Sequence, residues 1–123
     1  MAVPRILFAV PLVLAGMLAP AAGAALHHRP DGVIGMGHEG FSSKQIRIHV
    51  GDTITFQNDS RWIHIIGSGK DGHLAEPGAA PVSSRLLLEQ NQRYTTGRWN
   101  TPGTYSMTCS VHPDMTTKVI VTK

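Results

Sequence analysis

From about residue 45 onward the chain alternates between apolar and polar positions with a period of two. In "QIRIHV", Ile46, Ile48 and Val50 fall on one face and Arg47 and His49 on the other. Gly51-Asp52 marks a turn, after which "TITFQ" points Ile54 and Phe56 inward. "WIHII", Trp62 to Ile66, is apolar on both faces and predicts a strand with cover on each side. Leu86 and Leu88 alternate in a short strand, and "RYTTGRW" predicts another that ends on Trp99. Thr101-Pro102-Gly103 is a turn signal. The cleanest alternation follows, with Tyr105, Met107 and Cys109 on one face and Thr104, Ser106 and Thr108 on the other. "TKVIVT" supplies the last strand. No helical period and no internal repeat occurs in this part of the chain, so the pattern predicts an all-β fold, an antiparallel sandwich or barrel.

Two stretches carry no such pattern. "GSGKDGHLAEPGAAPVSS", from Gly67 to Ser84, reads as a Gly/Pro-rich connection without an element of its own. Residues 25–40, rich in Gly and His, read as a flexible N-terminal segment and the first strand, with the main domain at 41–123. Ahead of them lie Arg5, an apolar run from Ile6 to Leu18 and then small residues. That order predicts a secretory signal peptide over 1–24, cut after Ala24 or Ala25, and a periplasmic or otherwise extracytoplasmic location. An uncleaved anchor is the alternative, because no charge appears between Ile6 and Leu26, although Pro11 and Pro20 interrupt the run.

Length and charge narrow the function. A chain of 123 residues holds one domain. Its 11 Lys and Arg against 8 Asp and Glu are scattered rather than clustered, which argues against nucleic acid as a partner. The single cysteine, Cys109, forms no disulfide within the chain. In an oxidising compartment such a thiol is buried, modified or bound to something.

The residues after Cys109 favour the third option. His112 and Met115 follow it in a short loop that also contains Pro113, where a turn alone would call for Gly, Asn or Ser. Thiolate with thioether is a soft donor set, suited to copper rather than to calcium, magnesium or a structural zinc. A fourth donor has to come from elsewhere. His49 shares a polar face with Arg47, His73 sits in the long connection, and His27, His28 and His38 belong to the N-terminal segment. His64 lies among apolar neighbours just after the polar turn "QNDSR", and a sandwich brings that strand end near the loop after Cys109. His64, Cys109 and His112 with a weak axial Met115 make the arrangement of a blue-copper electron-transfer site.

"GDTITFQND", His64, the Pro-Gly turn, "GTYSMTC" and "CSVHPDM" together resemble the cupredoxins, or blue copper proteins, most closely the amicyanin- and plastocyanin-like branch. The likeness runs from Phe41 to Lys123. It implies a Greek-key β-sandwich with one type 1 copper per chain, held at one end by His64, Cys109, His112 and Met115. It further implies an electron carrier rather than an enzyme, a monomer that docks transiently with donor and acceptor redox proteins. The docking face would be the exposed edge of His112, in an apolar patch to which Val111 and Pro113 contribute. One position departs from the pattern: Ile65 stands where relatives commonly carry an asparagine that ties the two ligand loops together, and Asn58 is the candidate to replace it.

A second reading makes the protein a copper scavenger, store or delivery factor. Cleavage after Ala24 or Ala25 leaves His27 or His28 third in the chain, where amine, amides and imidazole form a square Cu(II) site. Met36 and His38, two residues apart, would share a strand face as a further soft site. A copper oxidase or reductase would require additional histidine clusters, and no His-x-His pair exists in the chain.

Overall fold

The computed structural model describes residues 32–123; the expected signal peptide, His27 and His28 lie outside the described residues. In chain order the strands are β1 (Gly32–Met36), β2 (Gln45–His49), β3 (Ile54–Asn58), β4 (His64–Lys70), β5 (His73–Leu74), β6 (Leu86–Leu88), β7 (Arg93–Thr95), β8 (Gly103–Cys109) and β9 (Thr116–Thr122). They form a three-stranded sheet, β1-β3-β7, and a six-stranded sheet, β2-β9-β8-β4-β5, with β6 also paired to β4. The apolar positions of both sheets meet in one core. Ile34, Met36, Ile54 and Phe56 from the smaller sheet and Met107, Cys109 and Val119 from the larger are all fully buried.

The alternation read from β2, β3, β8 and β9 corresponds to these inward faces. Two pairings nevertheless run parallel, β1 with β3 and β2 with β9. The chain passes from one sheet to the other between β1, β2 and β3, and such a crossover is what parallel neighbours need.

Three local expectations are corrected. Trp62 and Ile63 precede β4 and are half exposed, because the turn before them is bonded so as to face both outward. Within the Gly67–Ser84 stretch, β4 continues to Lys70 and turns at Asp71-Gly72 into β5, pairing Lys70 with His73. The positive φ values of Asp71 (50°) and Gly72 (81°) are those of the two-residue hairpin turn that Asp-Gly favours. β7 ends at Thr95, and Trp99 lies beyond it in the core, its indole N–H donating to Thr96 Oγ1 at 3.0 Å. β1, within residues 25–40, enters the core through Ile34 and Met36.

The register decides which strand ends share a neighbourhood. Ile66 pairs with Cys109, the last residue of β8, so His64 lies level with the loop two residues beyond it. Thr108 pairs with Thr116, and Met36 with Asn58. One end of the sandwich thus gathers the end of β1, the end of β3, the start of β4, and the loop from β8 to β9.

Candidate metal centre

Cys109 ends β8 on its inward face and is fully buried. The loop after it closes on itself through the backbone. Cys109 N donates to Met115 O at 3.1 Å and Met115 N to His112 O at 2.9 Å. The hydroxyl of Thr108 also donates to Met115 O, at 2.8 Å. Thr108 was expected on the polar face of its strand, yet it is fully buried, because the β4–β5 hairpin folds over it. Gly72 N donates to Thr108 Oγ1 at 2.9 Å and Asp71 N to Thr116 Oγ1 at 3.2 Å. A Cβ at Gly72 would lie 3.0 Å from Pro113 Cα, so the hairpin tip rests directly on the loop. The long connection therefore buttresses the site as well as joining strands.

His64 reaches the same place from β4 and is also fully buried. Its Nδ1 lies 3.6 Å from Cys109 Sγ, and the Nδ1 of His112 lies 3.7 Å from that sulfur. One donor atom from each of these residues falls within 4.8 Å of the others. An ion bonded to nitrogen at about 2.0–2.1 Å and to sulfur at about 2.3 Å, with angles of about 110–120°, spans an N···S distance of about 3.6–3.8 Å. The observed spacings suit one bridging ion. Met115, which closes the loop, buries its thioether side chain to 1% exposure.

The hydrogen bonds around His64 determine which ring nitrogen is free. Ser60 Oγ sits 3.0 Å from Nε2 and 2.8 Å from Asn58 Oδ1. Asn58 spends both amide protons on carbonyls, Trp62 O at 2.7 Å and Leu88 O at 3.0 Å, so its oxygen is an acceptor there. Ser60 therefore donates to Asn58 and accepts from His64 Nε2–H. That leaves the Nδ1 lone pair directed at the sulfur, the tautomer a metal ligand requires. Burial, followed by the neighbouring His112, pushes the His64 pKa below its ordinary 6.5, with a smaller opposing pull from the Gly37 carbonyl. The ring is thus kept neutral and ready to ligate.

Ile65 does not leave the ligand loops untied. Its carbonyl accepts from Ser110 N at 2.9 Å, linking the residue after His64 to the residue after Cys109 by backbone alone. Asn58 acts elsewhere: it organises the turn before His64 and ties it to β6. Ser60 and the Asp71-Gly72 hairpin went unnoticed in the sequence. The Asp-Gly pair was the available signal for the hairpin, and Ser60 had none stronger than its place four residues before His64. Of the other histidines, His49 is 76% exposed beside Asp52 and His73 lies at the surface. Met36 and His38 do not form a second site, since Met36 is in the core while His38 is exposed.

A sequence profile described as copper binding proteins of the plastocyanin/azurin family matches residues 33–122. The chain belongs to this family. Amicyanin-alpha of Methylorubrum extorquens is 33% identical to this cupredoxin over 81 residues, which are 66% of this chain and 63% of that protein. Amicyanin from Paracoccus versutus has a similar fold, with a TM-score of 0.56 and 24% identity over 72% of this chain and 78% of the other. The Cu(I) form of an amicyanin mutant superposes with a TM-score of 0.58 and 23% identity, covering 76% and 83%. Copper is the cofactor of this cupredoxin, and the soft, buried donor set fits it.

Proposed function

We propose that His64 and His112 through Nδ1, Cys109 through its thiolate and Met115 through its thioether hold a single type 1 copper. The protein then carries one electron at a time between redox proteins outside the cytoplasm. The observation that carries this reading is the pair of Nδ1 atoms at 3.6 and 3.7 Å from one buried thiol, the His64 ring already held in the ligating tautomer. Copper supplies the Cu(I)/Cu(II) couple. The chain keeps the donors in place through both oxidation states, because each is tied by its own bonds rather than by the ion alone. His64, Cys109 and Met115 exclude water from the site, while His112 is only partly buried and offers its ring edge to the surface. Val111 and Pro113 beside it, both exposed, give that edge an apolar surround suited to brief, small contacts with a donor and an acceptor. The chain acts as a monomeric carrier, and export rests on the signal-like pattern of residues 1–24.

Loading the metal-free protein with Cu(II) and recording the visible spectrum tests the reading. An intense thiolate-to-copper band is expected. A faint band typical of nitrogen-bound Cu(II) would sink it and move the metal to His27 or His28, making copper handling the better account.

A further inference from the structure

The two imidazoles of the donor set are held unequally. His64 has its outer nitrogen tethered to Ser60 Oγ at 3.0 Å. The ring of His112 has no such tether: among the described residues no hydrogen-bond partner meets its Nε2. Its backbone is fixed, since its carbonyl accepts from Met115 N at 2.9 Å, but a fixed backbone leaves several side-chain rotamers open. Contact with two other imidazoles is what limits the ring. His64 lies on its buried side, with centroids 4.9 Å apart and planes at 46°. His38, an exposed residue outside the donor set, meets it at 5.6 Å and 81°, the near-perpendicular arrangement that aromatic pairs prefer.

His38 acts as a stop only if it is itself held, and three features hold it. Its ring stacks on the Trp62 indole, with centroids 4.6 Å apart and planes at 15°. The turn that carries it is closed by Gly37 N donating to Gly40 O at 2.9 Å. Behind that turn Ser42 N donates to Gly35 O at 2.8 Å and Gly35 N to Ser42 Oγ at 2.9 Å. Asp59 N donates to Met36 O at 3.1 Å, which fastens this turn to the one that carries Trp62, where Trp62 O accepts from Asn58 Nδ2 at 2.7 Å. The fold keeps the Trp62 indole 51% exposed, where burial would be favourable, and the stack on His38 is the contact that this placement provides.

We propose that His38 is a positioning residue for His112. Stacked on Trp62, its ring blocks the His112 imidazole from turning away, so that Nδ1 stays directed at the Cys109 sulfur in both oxidation states. The shape of the His38 ring does this, and its nitrogens take no part. The proposal rests on the copper reading above, and supplies from outside the restraint that Ser60 gives His64 from within.

The test uses the copper-loaded protein in its reduced, diamagnetic form. Transfer of Cu(I) to excess bathocuproine disulfonate gives a release rate, and NMR relaxation dispersion on the histidine rings reports motion on the microsecond-to-millisecond scale. His38→Ala should speed release about threefold to tenfold, the range that one lost ring contact accounts for. It should also produce exchange broadening at His112 while His64, tethered by Ser60, stays sharp. His38→Phe keeps a ring and removes the nitrogens, and should bring both readouts back near the parent values. Trp62→Leu should act in the same direction as His38→Ala yet add nothing to it in the double variant, because Trp62 works through His38. Parent-like release and dispersion in His38→Ala overturn the proposal. So does broadening of His64 together with His112, which marks a general loosening, and so does a His38→Phe that behaves as His38→Ala, which makes the nitrogen rather than the ring the active part. Each of these leaves the copper reading standing as long as the oxidised parent shows its intense thiolate band; without that band, both fall together.

Discussion

The two halves of the proposed metal centre are held in different ways. His64 arrives on β4, and side chains secure it: Asn58, fully buried, organises the turn, and Ser60 caps the outer ring nitrogen. Cys109, His112 and Met115 share one short loop, and backbone bonds within it and to the β4–β5 hairpin secure them. The first arrangement depends on particular residue types; the second depends on chain geometry. The first half is therefore the more vulnerable to single substitutions, apart from the ligands themselves.

Cys109→Ser should have the largest effect, abolishing the intense visible band and the thiolate contribution to copper affinity; a variant that kept its colour would place the metal elsewhere. Asn58→Ala strikes the side-chain-held half. It leaves the buried carbonyl of Leu88 and the Ser60 hydroxyl without their partner, and should destabilise the metal-free protein by about 3 kcal/mol in urea unfolding. Ser60→Ala removes the acceptor of His64 Nε2–H together with the hydroxyl's bonds to Asn58 Oδ1 and Trp62 N, while Asn58 keeps its two carbonyl partners. Copper affinity, measured by competition with a chelator, should fall about 10- to 100-fold, with little loss of fold stability. If Ser60→Ala binds copper as the parent does, the cap has no bearing on the ligand.

The backbone-held half is probed by Gly72→Ala, which forces an alanine to φ 81° and sets its Cβ 3.0 Å from Pro113 Cα. A loss of about 1–2 kcal/mol is expected, together with faster exchange of the loop amides. Acidification should have the mildest effect. The His64 pKa is depressed by burial first and by His112 next, so the unfolded chain takes up the proton more readily. The stability attached to the neutral ring is complete above its ordinary 6.5 and is lost as pH falls below that value, until the lowered folded pKa is passed. For this single proton the slope is at most about 1.4 kcal/mol per pH unit. Urea midpoints of the metal-free protein should show the loss, and bound copper should delay it by occupying the ring nitrogen.

Much of this site was legible in the sequence because its information is local. The soft donors Cys109, His112 and Met115 lie within one loop, and the period-two pattern put Cys109 at the inner end of its strand before any contact was known. The core faces of β2, β3, β8 and β9 were legible for the same reason, since alternation is a property of neighbouring residues. The stretch "WIHII" misled because apolar character alone does not say where a strand begins. The Asn58 side chain donates to Trp62 O and Leu88 O and accepts from Ser60 N and Ser60 Oγ, and these four bonds turn Trp62 outward and leave His64 as the first strand residue.

By itself, then, the chain's order of residues determined an all-strand domain and set the thiol, imidazole and thioether of the proposed site in one loop. Side-chain period and loop spacing are short-range properties, and they survive without a partner. Only the tertiary structure decided that Ile66 pairs with Cys109, that Met36 turns inward while His38 turns to Trp62, and that Nδ1 of His64 is the nitrogen left free. Those outcomes depend on register and on hydrogen bonds between residues far apart in the chain, where a shift of a single position reverses which face a side chain meets.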